Sequence, residues 1–144
     1  MVYQELNMML DSSIAENIFV GNLPGKVGFV DYKTLYQNTE KILNEIGLAV
    51  SPKEKARSLN SGQLQMLAIM RALRKNPRII VMDEPTSALS DTEVDLLMGF
   101  LNNLRKRGIS CIFITHKLDE IFRIADRVVV MRDGQFISSN SVAR

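Results

Sequence analysis

The run Ile79-Ile80-Val81-Met82, followed at once by Asp83-Glu84, constrains this chain more than any other stretch. Four consecutive apolar residues rich in β-branched side chains read as a strand buried on both faces of a parallel sheet. Two acids cannot extend that strand into a core. They mark its carboxyl end, where open parallel sheets bind ligands. The pattern then repeats. Ser90 and Glu93 form a capping box ahead of a helix whose apolar face is Val94, Leu97, Leu101 and Leu104. Arg105-Lys106-Arg107 complements its C-terminus, and Gly108 follows. Ile109 to Thr115 reads as a second buried strand, Lys117 to Ala125 as a short helix and Val128 to Met131 as a third strand. Asp133-Gly134 is a hairpin turn before a returning edge strand, Gln135 to Ile137. Strand, helix, strand, helix, strand over 79–131 predicts a parallel sheet with right-handed crossovers.

The first half is mainly helical. Residues 11–30 carry Gly21, Pro24, Gly25 and Gly28 and read as a loop-rich connection. Asp31 to Ile46 places Leu35, Ile42, Leu43 and Ile46 on one side of a helix that Gly47 can end. After a polar connection over 49–58, a helix runs from Ser61-Gly62 to about Lys75. Leu64, Leu67, Ala68 and Ala72 form its buried stripe. Val2-Tyr3 is a strand stub running into Gln4-Glu5.

Composition narrows the class. In 144 residues, 46% are hydrophobic and 24% charged, as in a globular domain rather than a disordered or fibrous chain. No apolar run approaches the roughly 20 residues that cross a bilayer. Gln4, Glu5 and Asn7 argue against a secretory leader. Cys111 is the only cysteine, so no internal disulfide forms, and a reducing compartment fits. Eighteen basic and 16 acidic residues leave a net charge of +2, which gives no support for a nucleic-acid partner.

Several residue groups bear chemistry. An Asp at the end of a buried strand can hold Mg²⁺ in phosphoryl-transfer proteins, and an adjacent acid can orient or deprotonate water. Taken alone, Asp83-Glu84 fits that role or two solvated acids at a strand end. Asn60-Ser61-Gly62-Gln63 opens a helix, where small residues and free N–H groups suit an anion. Asn and Ser are equally ordinary N-caps. His116 is the only histidine. One His and one Cys cannot make a closed zinc site, and a Ser-His-Asp triad lacks its G-x-S-x-G elbow.

Taken together and in order, these segments resemble the ATP-binding cassette (ABC) ATPases. Leu59 to Gln63 resembles the signature L-S-x-G-Q, and Met82 to Glu84 the end of Walker B. Ser87 to Asp91 resembles the D-loop, His116 the switch histidine and Gln4 the Q-loop glutamine. The resemblance covers essentially the whole chain. It implies an α/β fold: a partial P-loop NTPase core with a parallel sheet, preceded by an α-helical subdomain. Residues 1–5 would be a Q-loop stub, 6–75 the helical subdomain with the signature, and 76–144 the half of the core carrying Walker B, D-loop and switch histidine.

A stretch that mimics a P-loop is rejected. Gly21 to Val27 has three residues between its glycines instead of four, and Val27 replaces the metal-binding hydroxyl. No Walker A is present, so the resemblance is to the later part of a cassette, with the upstream β-subdomain absent. In the family the P-loop strand lies between the strands at 109–115 and 128–132. Lacking it, the chain is expected to expose strand edges and an apolar patch, and to dimerise, swap elements or aggregate.

Only residues 5–58 separate Gln4 from Leu59, a small insertion that favours transporters over repair relatives with long coiled coils. VYQEL at 2–6, ENIFVG at 16–21, GFVD at 28–31 and GQLQM at 62–66 resemble the first cassette of bacterial monosaccharide importers of the ribose, xylose and galactose type. The resemblance implies ATP and Mg²⁺ as cofactors. Asp83 and Gln4 would serve the metal, Glu84 and Gln4 the attacking water, and His116 the γ-phosphate. Asn60, Ser61, Gly62, Gln63, Ser87 and Asp91 would serve nucleotide across a cassette dimer. Position 60 departs from the family, with Asn in place of Ser. The implied partners are a second cassette, transmembrane permease subunits facing residues 7–30, and indirectly an external sugar-binding protein, with no nucleic acid. The implied place is the cytoplasmic face of the cell membrane. A non-catalytic remnant acting as an interaction or dimerisation module is the alternative that the missing Walker A keeps open.

Overall fold

A computed structural model describes residues 8–26 and 28–142. Gln4 and the expected strand stub at Val2-Tyr3 lie outside the described residues. The chain divides into two compact units, Met1–Ile114 and Thr115–Arg144.

The first unit begins with a helix where a loop-rich connection was expected. Helix α1 (Ile14–Phe19) is set by a capping box. Ser13 Oγ accepts the Glu16 N–H at 3.1 Å, while the Glu16 carboxylate accepts the Ser13 N–H at 2.8 Å and its hydroxyl at 2.7 Å. Ile14, Ala15, Asn17, Ile18 and Phe19 are all buried, and that burial holds so short a helix in place. Buried Asn17 meets its polar needs by gripping the chain before it. Its Oδ1 accepts the Met9 N–H at 2.8 Å, and its Nδ2 donates to the carbonyls of Met9 (2.9 Å) and Ser13 (3.0 Å). The glycines act only afterwards. Strands β1 (Gly25–Lys26) and β2 (Phe29–Val30) pair antiparallel, so Gly25 and Lys26 of the stretch that mimics a P-loop belong to a small strand pair.

Helix α2 (Tyr32–Glu45) is capped by Asp31, whose Oδ1 accepts the Thr34 N–H at 3.0 Å. It ends before Gly47 at φ +70°. Leu35, Leu43 and Ile46 are buried as its periodicity predicts, with Ile42 half-buried. A 3₁₀ turn at Ala56–Ser58 leads to α3 (Ser61–Leu73). Burial along α3 differs from the expected stripe: every residue from Gln65 to Met70 is buried, Leu67 and Ala68 among them, whereas Leu64 and Ala72 are half-buried. Helix α1 packs against both α2 and α3. Past the end of α3, Arg74 donates to the Ile18 carbonyl at 3.2 Å and lies 3.9 Å from the Phe19 ring centroid, tying α3 back to α1.

Strand β3 (Ile79–Asp83), helix α4 (Asp91–Lys106) and strand β4 (Ser110–Ile114) form the expected unit. β3 and β4 are parallel, in register from Ile79↔Ser110 to Asp83↔Ile114. Helix α4 packs on β4 and against α3. Leu97, Leu101 and Leu104 are buried, and Val94 is half-buried. The sheet differs from expectation in one respect: it is not buried on both faces. Ile80 and Met82 point into the core, whereas Ile79 is 59%, Ile112 52% and Ile114 47% exposed. Alternation along a strand sends neighbouring side chains to opposite faces, and only one face here is packed.

In the second unit, α5 (Leu118–Ile124) precedes β5 (Arg127–Arg132) and β6 (Gln135–Ser141). β5 was expected as a third parallel strand. Instead it pairs antiparallel with β6, in a sheet separate from β3–β4. The hairpin itself is the expected one. Asp133 (φ +50°) and Gly134 (φ +75°) form a two-residue turn that folds the chain straight back. β6 is also longer than the predicted edge strand. No helix among the described residues is long and apolar enough to cross a membrane.

Candidate nucleotide site

The start of α3 is closed by a reciprocal box. Asn60 Oδ1 accepts the Gln63 N–H at 2.7 Å, and Gln63 Oε1 accepts the Asn60 N–H at 3.1 Å. Two of the N–H groups that the sequence reading left free for an anion are therefore already satisfied. The box explains how Asn replaces Ser at position 60, because Asn caps a helix as well as Ser does. Ser61 is exposed and Gly62 buried. The buried glycine has a steric reason, since the carboxylate of Glu93 fills the space beside it. A Cβ built on Gly62 would fall 2.7 Å from the Glu93 carboxyl carbon.

Glu93 is the residue that sequence reasoning assigned only a capping role. It does cap: its Oε2 accepts the Ser90 N–H at 2.9 Å and the Ser90 hydroxyl at 2.9 Å. The Ser90 N–H, then the Ser90 hydroxyl and the Asn60 side chain, hold its carboxyl below the usual value of 4.5 despite partial burial. One side chain thus serves the first turn of α4 and lies against the first turn of α3. The separation of Gly62 and Glu93 in sequence hid that contact.

Asp83 ends β3, half-buried. Glu84 leaves the strand at φ +44°, a left-handed conformation that costs a non-glycine residue of order 1–2 kcal/mol. The conformation is held because the Glu84 N–H still reaches the Ile114 carbonyl at 2.9 Å, extending the parallel ladder by one bond. A tight turn follows. The Ser87 N–H donates to the Glu84 carbonyl and the Leu89 N–H to the Thr86 carbonyl, both at 3.2 Å, with Thr86 buried beneath. The turn leaves Ser87 and Asp91 exposed. The hard oxygen donor of Asp83 at a strand end suits Mg²⁺, which takes one or two carboxylates and completes its shell with water and phosphate. Among the described residues no group of three His, Cys, Asp or Glu side chains is placed to hold a metal ion.

His116 lies in the second unit and is exposed. Its neighbours on both sides are tied down. The Thr115 hydroxyl donates to Glu120 Oε2 at 3.1 Å, the Lys117 N–H donates to Thr115 Oγ1 at 3.1 Å, and Lys117 Nζ lies 3.3 Å from Glu120 Oε1. Glu120 is 5% exposed and did not stand out in the sequence, where Asp119-Glu120 reads as an ordinary acidic first turn.

A parallel strand ending in two acids, a tight turn into a capped helix, and a box-capped helix ahead of them together define a part of an ATP-binding cassette. Comparison with known proteins agrees. The family model described as ABC transporter matches residues 1–87, and the chain belongs to that family. The xylose import ATP-binding protein XylG of Moorella thermoacetica is 46% identical over 96% of this chain. The galactose/methyl galactoside import ATP-binding protein MglA of Clostridium perfringens is 43% identical over 99% of it, and that of Haemophilus influenzae 42%. The chain spans 27–28% of the length of these relatives. The dimeric ATP-binding cassette MJ0796 bound to ADP and Pi superimposes with TM-score 0.80 at 24% identity, over 99% of this chain and 62% of that one. The cassette MJ1267 does so with TM-score 0.80 at 26% identity, over 98% and 60%.

Proposed function

We propose that this chain is part of the ATP-hydrolysing subunit that energises sugar import at the cytoplasmic face of the bacterial cell membrane. One observation carries the reading. The order signature, Asp83-Glu84, D-loop turn and His116 runs through a chain 42–46% identical, along nearly its whole length, to xylose and galactose import ATP-binding proteins. In this reading 6–75 is the helical subdomain and 76–144 the later half of the core. Mg²⁺, where bound, would neutralise phosphate charge, and Asp83 would hold it together with Gln4. Glu84 would orient the attacking water from its left-handed perch at the strand end, Gln4 would share that role, and His116 would contact the γ-phosphate. Asn60 to Gln63, Ser87 and Asp91 would meet nucleotide held by a second cassette. Exposed Ser61 and Ser87 and the capped turns beside them are consistent with a contact made in trans. Permease subunits and an external sugar-binding protein complete the assembly.

A chimera tests the reading. These 144 residues replace the matching segment of a complete XylG, and ATP-driven xylose uptake is measured. Uptake within about tenfold of the parent, abolished by Glu84→Gln, is the expected result. No uptake from a well-folded, membrane-assembled chimera would overturn it. The reading as an inert interaction module predicts that second outcome, with assembly retained.

A further inference from the structure

We propose that Glu120 is the positioning residue of His116, holding the backbone on both sides of the imidazole so that it meets phosphate in a fixed orientation. The proposal rests on the role of His116 given above.

The carboxylate is 5% exposed, and a buried charge persists only when its partners compensate for lost hydration. Two of its partners flank His116. One oxygen accepts the Thr115 hydroxyl (3.1 Å) and the other faces the Lys117 ammonium (3.3 Å). Thr115 Oγ1 in turn accepts the Lys117 N–H (3.1 Å), which closes a ring around position 116. Lys117, the N-cap of α5, makes no side-chain cap hydrogen bond of its own. The ring fixes the backbone at a junction where β4 has ended and α5 has not begun. The imidazole itself stays exposed. Fixing a backbone costs conformational entropy, so a residue ordered beforehand need not bear that cost when phosphate binds.

The test has two readouts. His116 is the only histidine, so its ring Cε1–H resonance is a single unambiguous signal in the 144-residue chain. Glu120→Ala and Thr115→Val are expected to shift and broaden that signal. Glu120→Gln keeps an acceptor for Thr115 and is expected to leave it near its original place. In the chimera, Glu120→Ala is expected to cut ATP-driven uptake by about tenfold or more, with Glu120→Gln restoring most of it, since misplacing a catalytic group by ~1 Å can cost about a hundredfold. An unmoved His116 signal in Glu120→Ala would overturn the proposal, whatever happens to uptake. So would uptake that falls only in proportion to folded protein. A parent chimera without uptake would sink the functional reading instead, and the resonance would still decide whether Glu120 orders His116.

Discussion

Glu93 stands where any side chain at Gly62 would begin. A residue on α4 thereby dictates the residue type in the first turn of α3, and the same carboxylate holds the Ser90 cap. Gly62→Ala is expected to displace the Glu93 carboxylate from Ser90, and because that carboxylate ends a flexible side chain and alanine favours a helix over glycine, the net change is expected to stay within about 1 kcal/mol. Urea denaturation measures it. The double variant Gly62→Ala with Glu93→Ala should be less destabilised than the sum of the singles, because the clash exists only when both are present.

Acid should weaken the caps. Hydrogen bonds from Ser13, its hydroxyl above all, hold the Glu16 carboxyl below 4.5, and the Ser90 N–H does the same for Glu93. A carboxylate whose folded-state pKa is depressed adds stability above its ordinary value and loses it as pH falls through the folded one. Unfolding midpoints should therefore hold from neutral pH down to about 4.5 and decline below it. Glu16→Gln and Glu93→Gln should be less stable at neutral pH and show a shallower decline.

Asn17 ties Met9 to α1 with both ends of its amide. Asn17→Ala leaves the Met9 N–H and C=O without that partner and is expected to cost about 1–3 kcal/mol. Hydrogen exchange should show loss of protection at Met9 and the first turn of α1, with α4 unaffected.

The exposed row of Ile79, Ile112 and Ile114 makes the isolated chain sticky. Light scattering is expected to give a mass above that of the monomer. Ile112→Lys with Ile114→Lys should lower it without unfolding the sheet, whose core is formed by residues on the other face. A stable monomer from the unsubstituted chain would contradict the expectation.

The elements set by local chemistry were legible in the sequence. Asp31, Asn60 and Ser90 announce α2, α3 and α4, and Gly47 and Gly108 follow the ends of α2 and α4 as punctuation predicts. The capping box of Ser13 and Glu16 was equally visible, but Gly21, Pro24 and Gly25 drew the whole stretch into a loop. The turn at Asp133-Gly134 and the strand returning from it were read correctly, whereas the pairing of β5 with the parallel strands, which the strand–helix alternation suggested, is not formed. His116, Asp83 and Glu84 could be singled out because their order along the chain matched a family.

What the sequence by itself determined is the list of helices, strands and caps and the family to which they belong, because caps, periodicity and motif order act over a few residues. What only the tertiary structure decided is which distant side chains share space: Glu93 over Gly62, the Glu84 N–H on Ile114, Arg74 on Phe19. It also decided that one face of β3–β4 stays exposed. Alternation along a strand sorts residues into two faces, but what packs on each face depends on the rest of the fold.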